Sequence, residues 1–139
     1  MKALFFLLTL SPIHAQTIQQ NLESIVYRYA GETGVPLYIA DNLVNEESGW
    51  CRWAHNQVAG GLMGLAFKYH AEFRDKYNGG QEFSEFDPEA SVRIGLHYLA
   101  HLHDWLGTWR RALYFYNCGY SANVKKSVRR YADRILEGR

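Results

Sequence analysis

No stretch of this chain alternates apolar and polar residues with a period of two, whereas apolar residues recur every three or four positions in run after run. That pattern restricts the chain to helices packed on helices. Ile18, Leu22, Ile25, Val26 and Tyr29 mark a first amphipathic helix, ended by Gly31 and Gly34. Pro36 suits the first turn of a second helix, which carries Leu37, Ala40, Leu43 and Val44 and runs to about Glu47. After a loop over residues 51–61, a third helix is expected from about Leu62, burying Met63, Ala66, Phe67, His70, Phe73 and Tyr77. Asp87-Pro88-Glu89 is a strong helix start, with a cap, a proline in the first turn and an acid near the positive end of the dipole. The fourth helix then shows Val92, Leu96, Leu99, Leu102 and Leu106 before Gly107. A fifth spans about Thr108 to Asn117 and is ended by Gly119. A sixth spans about Ser121 to Leu136, with Val124, Val128, Tyr131 and Ile135 inward. The expected fold is all-α, about six helices with little or no β-structure.

Residues 1–15 read as a secretory leader: Lys2, an apolar stretch over 3–10, and Pro12-Ile13-His14-Ala15 as a cleavage region. The apolar stretch is shorter than the about 20 residues that span a bilayer, so no membrane span is expected after cleavage. Residues 16–139 then form one domain, long enough for a core of its own, exported to a periplasm or secreted. The net charge of +1, without a basic block, gives no surface for nucleic acid. Four Trp, ten Tyr and seven Phe exceed what a small core needs; they either line a groove that stacks on flat ligands such as sugars, or serve as core and rim packing.

The segment Asn45-Glu46-Glu47-Ser48-Gly49-Trp50 ends the second apolar run. Glu47 follows Leu37, Ala40, Leu43 and Val44 at helical spacing, which puts it on or beside the packing face. Burial there holds a carboxyl in its neutral form and makes it a general acid. The alternative is a helix-terminal Glu turned to solvent.

Three later segments bear on that choice: Gly61-Leu62-Met63; Phe86-Asp87-Pro88 with Gly95 and Tyr98-Leu99; and Ala112-Leu113 with Tyr116-Asn117-Cys118-Gly119. With Glu47-Ser48-Gly49-Trp50 before them, the order and intervals resemble the lytic transglycosylase family with a lysozyme-like soluble-transglycosylase domain, over about Tyr29 to Ile135. The resemblance implies a lysozyme-like helical fold with a substrate cleft and peptidoglycan glycan strands as substrate. It implies cleavage of the β-1,4 bond between N-acetylmuramic acid and N-acetylglucosamine to give a 1,6-anhydro end, without cofactor or metal.

It further implies Glu47 as the catalytic residue, acid and then base. Glu46, about 100° away around a helix, cannot serve the same cleft. Tyr116 and Asn117 match the family's pair beside the acid, where a phenol can donate to the carboxylate and an amide can hold an N-acetyl group. Met63 matches a cleft-floor methionine, Ser48 follows the acid, and Tyr131 matches a late tyrosine that packs toward the cleft or belongs to the core. Asn56 stands where the family often has Ser, and Gly64 where it commonly has Gln. A Gln at 64 is therefore expected to add a substrate contact. If Glu47 and Tyr116-Asn117 face each other, Cys51 and Cys118 fall in one region and are expected to pair in an oxidising compartment.

Three further readings stay open. A Glu82 or Glu85 that orients water would make a hydrolase like the goose-type lysozymes, whereas Asp87 is most simply a cap. A wall-binding part of an envelope or secretion apparatus would bind without turnover. His97, His101 and Asp104 share a helix face opposite the leucines and read as solvated rather than metal-binding. The protein is expected to be monomeric.

Overall fold

Helix α4, Pro88–Leu106, is the axis on which the other helices are hung. It begins as its sequence demands: the Asp87 carboxylate accepts the Ala90 N–H at 3.1 Å, Pro88 sits in the first turn, and Gly107 closes the helix in a left-handed conformation. The sequence gives it one apolar face, but Ser91, Ile94 and Gly95 are buried along with Val92, Leu96, Leu99 and Leu102. The reason is tertiary, because α1 (Pro12–Thr33) and α5 (Trp109–Cys118) both pack on it and α3 (His70–Tyr77) joins them. Burying each such Leu or Ile contributes about 1.5–3 kcal/mol.

The computed structural model describes residues 12–138. The expected leader lies mostly outside that range, and its last residues, from Pro12, form the first turn of α1, Pro12–Thr33. That helix runs through Gly31 and stops only where Gly34 turns left-handed and donates its N–H to Ala30 O. Helix α2 is Leu37–Ser48, α5 is Trp109–Cys118 and α6 is Lys126–Glu137. α6 packs on α2 and α5, and begins later than the apolar spacing suggested because residues 121–125 form an irregular connection. Among the described residues, no helix is long and apolar enough to cross a membrane.

The third helix differs most from expectation. It is only His70–Tyr77 (α3), preceded by a single 3-10 turn at Phe67–Tyr69. Upstream lies a small antiparallel hairpin of β1, Ala59–Gly60, and β2, Leu65–Ala66, with Ala59 opposite Ala66 and Gly60 opposite Leu65. Leu62 and Met63 are spaced as if helical, yet they sit in the hairpin turn with their side chains fully buried. Gly61 and Gly64 bracket them at φ of 82° and 59°, a conformation that breaks a right-handed helix and that glycine alone adopts without cost. The fold is otherwise the expected all-α architecture.

Candidate functional site

The hairpin forms one wall of a cleft of about 590 Å3; Tyr98 of α4 and Tyr116 and Asn117 of α5 line it opposite, and Glu47 lines it from the end of α2. Among the described residues, Glu47 is the only carboxyl that lines this cleft. A second depression of about 640 Å3 lies between α1 and α2, around Glu23 and Asp41, and shares no lining residue with the cleft.

Glu47 reaches the cleft because α2 delivers it there. Ile39, Ala40, Leu43 and Val44 bury one face of that helix, and Glu47 continues the face by one turn. The helix then ends at Gly49, whose N–H bonds Asn45 O, and the next residue, Trp50, is also left-handed at φ 65°. A bulky residue in that region is strained, and the partly buried indole, packed on the core, holds it there.

The Glu47 carboxyl accepts a hydrogen bond from the Tyr131 hydroxyl, which arrives from α6 and is only 5% exposed. Burial pushes the Glu47 pKa up from 4.5 to about 7; the Tyr131 bond pulls it down, and the neighbouring Glu46 charge adds a little in the upward direction. Burial, followed by the Glu47 charge, pushes Tyr131 and Tyr116 well above the usual phenol range, so both remain neutral hydroxyls. Glu47 is thus a carboxyl poised to give and regain a proton near neutrality. Glu46 points elsewhere and pairs with Arg134 of α6.

Several expected roles change. The Tyr116 hydroxyl does not reach Glu47; it donates to Met63 O at 2.6 Å and ties α5 to the hairpin turn. Tyr131, left between core and cleft by its sequence, is the phenol that meets the acid. Met63 is not a cleft floor. Its side chain is 0% exposed and lies against Gly95, where an added Cβ would stand 2.7 Å from it. Ser48 turns its hydroxyl back to Val44 O at 2.9 Å and does not line the cleft. Asn56 does line it, but its side-chain oxygen accepts the N–H groups of Val58 and Ala59 at 2.8 and 2.9 Å and so shapes the hairpin. Asn117 is exposed on the cleft wall, beside Tyr116.

The Cys51–Cys118 bridge is not formed; both thiols are free and exposed. The turn through Gly49 and Trp50 takes Cys51 away from the cleft, whereas Cys118 lines it and bonds Tyr114 O in its own helix at 3.2 Å. Glu82 and Glu85 do not line the cleft either, being held by His70 and Arg74. Among the described residues, no three His, Cys, Asp or Glu are grouped to hold a metal ion.

The residue whose role its sequence hid is Gly64. A Cβ built on it would collide with the Glu47 carboxyl oxygen, so the missing side chain is what gives the acid its place. The space that a Gln was expected to fill is occupied by Glu47 itself. The only signal was a glycine replacing a residue common in the family.

Residues 24–136 match the family described as the transglycosylase SLT domain. No curated protein sequence matches the chain. Among solved structures, an inactive glutamate-to-glutamine mutant of the lytic transglycosylase Slt from Pseudomonas aeruginosa is similar, with a TM-score of 0.69 at 20% identity. The match covers 81% of this chain and 22% of that longer one, and it shows the same lysozyme-like fold.

Proposed function

Since the chain belongs to the transglycosylase SLT-domain family, we propose that it is a peptidoglycan lytic transglycosylase in which Glu47 performs both proton transfers. The observation that carries this reading is a single carboxyl in the cleft, raised to about 7, with a neutral phenol as its partner. Protonated Glu47 gives its proton to the oxygen of the β-1,4 bond as that bond breaks. The 2-acetamido oxygen of the muramic acid supports the anomeric carbon. The Glu47 carboxylate then removes the proton of the same sugar's 6-hydroxyl, whose oxygen bonds to the anomeric carbon. The 1,6-anhydro ring closes, the acid is regenerated, and no water is consumed. A second carboxylate to activate water, as two-carboxylate glycosidases require, is not needed.

Tyr131 keeps Glu47 oriented, and the Asn117 amide offers a donor and an acceptor for an N-acetyl group. Peptidoglycan lies outside the cytoplasm, which agrees with an exported protein. Mass spectrometry of fragments released from purified sacculi tests the reading, with 1,6-anhydro ends as the expected product. Ordinary reducing ends would make the protein a hydrolase, and binding without release would make it a non-catalytic wall-binding part.

A further inference from the structure

Beside the cleft, where α3, α4 and α5 meet, lies a smaller hollow of about 240 Å3. We propose that this hollow, walled by Tyr77, Tyr98, Trp105 and Phe115, is a further sugar subsite that seats one ring of a glycan strand already engaged at Glu47. The proposal rests on the glycan reading above and extends it to Tyr77, Trp105 and Phe115, which lie outside the motifs that carry the family resemblance.

Three observations carry it. The hollow adjoins the cleft, because Tyr69, Phe73, Tyr98 and Phe115 line both. A ligand that outgrows the first therefore meets the second next. The hollow is also mostly aromatic, with Tyr69, Phe73, Tyr77, Tyr98, Trp105 and Phe115 among its lining residues. Tyr98 stands 5.4 Å from Tyr116 and 6.1 Å from Tyr77, centre to centre, so rings lead outward from the cleft wall without a gap. Its volume falls below the about 300–1,000 Å3 of pockets that take whole ligands, which suits one ring rather than an oligomer.

The third observation is Trp105. It is 62% exposed and lines the hollow, and its indole lies edge-on against Phe115 at 5.3 Å. A lone exposed aromatic is ordinary on a protein surface. An exposed indole that packs edge-on against a second ring and borders an aromatic hollow beside a cleft is a platform for a flat, weakly polar ring. His101 and the Lys76–Glu72 pair, bonded at 2.8 Å, stand among the lining residues and supply the few polar groups that hydroxyls and an N-acetyl group require.

The test uses the full chain carrying Glu47→Gln, titrated with β-1,4-linked N-acetylglucosamine oligomers from the disaccharide to the hexasaccharide. The indole N–H resonance of Trp105 is identified by its loss in Trp105→Phe. Short oligomers are expected to shift cleft resonances and leave the Trp105 indole unmoved, and the longest are expected to shift both. Trp105→Ala is expected to weaken hexasaccharide binding about threefold to tenfold while sparing the shortest oligomer that binds, and Trp105→Tyr to retain most of the affinity. Cleft shifts with an unmoved Trp105 indole at every length would overturn the subsite alone. So would an equal loss at every length in Trp105→Ala, since that marks a structural role. No shift at any length would likewise overturn the subsite, and the enzyme reading stands or falls separately on whether sacculi yield anhydro products.

Discussion

At the two ends of the hairpin turn the protein handles carboxyl groups in opposite ways. Gly64 lies against Glu47, which is covered by the fold and touched by a neutral phenol. Gly61 lies against the Glu85 carbonyl, in a loop whose acids are met by cations. His70 sits between Glu85 and Glu82 and stacks on Phe83 at 4.1 Å, and Arg74 bonds Glu82 at 2.7 Å. Arg74 and then His70 pull the Glu82 pKa down, and the Glu85 bond pushes that of His70 up. One arrangement keeps a proton available near pH 7; the other fixes a loop by pairing its acids with His70 and Arg74. Burial with a neutral donor makes an acid, and an acid met by a cation makes a clasp.

The largest expected effect breaks this contrast at its first member. Glu47→Gln should lower turnover at least about a hundredfold, while Glu82→Gln and Glu85→Gln keep it per folded molecule. Stability should move the other way. A carboxyl whose pKa rises from 4.5 unfolded to about 7 folded imposes no cost below 4.5; the cost grows with pH and is complete above about 7. Glu47→Gln is therefore expected to be more stable than the parent at pH 8, by up to about 3 kcal/mol, and equally stable at pH 4. Thermal melts at both pH values check this.

Next comes the space the acid occupies. Gly64→Gln should displace the Glu47 carboxyl and reduce kcat about tenfold to a hundredfold. Stability should fall by only what a left-handed non-glycine residue costs, about 1–2 kcal/mol, read from thermal melts. A gain in turnover would show that the cleft accommodates a side chain there after all.

Tyr131→Phe keeps the packing and removes only the neutral donor. Because that bond lowers the acid's pKa, its loss should move the falling limb of the pH–rate profile to higher pH. The accompanying loss of rate should be about threefold to tenfold. A limb that moves down would reverse the assignment of Tyr131.

The smallest effect concerns the clasp. His70 has its pKa raised in the fold, so its contribution is complete below about 6.5 and is lost as pH rises through the folded value. His70→Asn should lower stability by about 1 kcal/mol or less, more at pH 6 than at pH 9, with turnover unchanged.

The helices were legible because their ends are written locally. Asp87 caps α4, and Thr108 accepts the Arg111 N–H to start α5 as its position suggests. The hairpin was not legible, since strands of two residues have no room for a period and Leu62-Met63 imitates a helix. Glu47 could be picked out by its place on an apolar face, and Glu46 set aside by angle. What surrounds Glu47 could not be read. Tyr131 and Tyr116 exchange the roles their positions suggested, because which phenol reaches the acid depends on how α5 and α6 pack, not on either helix alone. The cysteine pairing failed for the same reason: closeness to site residues along the chain says nothing about where two side chains point.

The bond between Tyr131 and Glu47 joins residues 84 positions apart, and the contacts that seat it, Asn42 on Ile135 O and Glu46 on Arg134, are as distant in sequence. Such contacts form late, after the entropy of closing a long loop has been met. An emerging or unfolded chain accordingly carries Glu47 as an ordinary, ionised carboxylate with no proton to donate at neutral pH. Its chemistry switches on only when α6 docks. Folding and the activation of Glu47 are then one event.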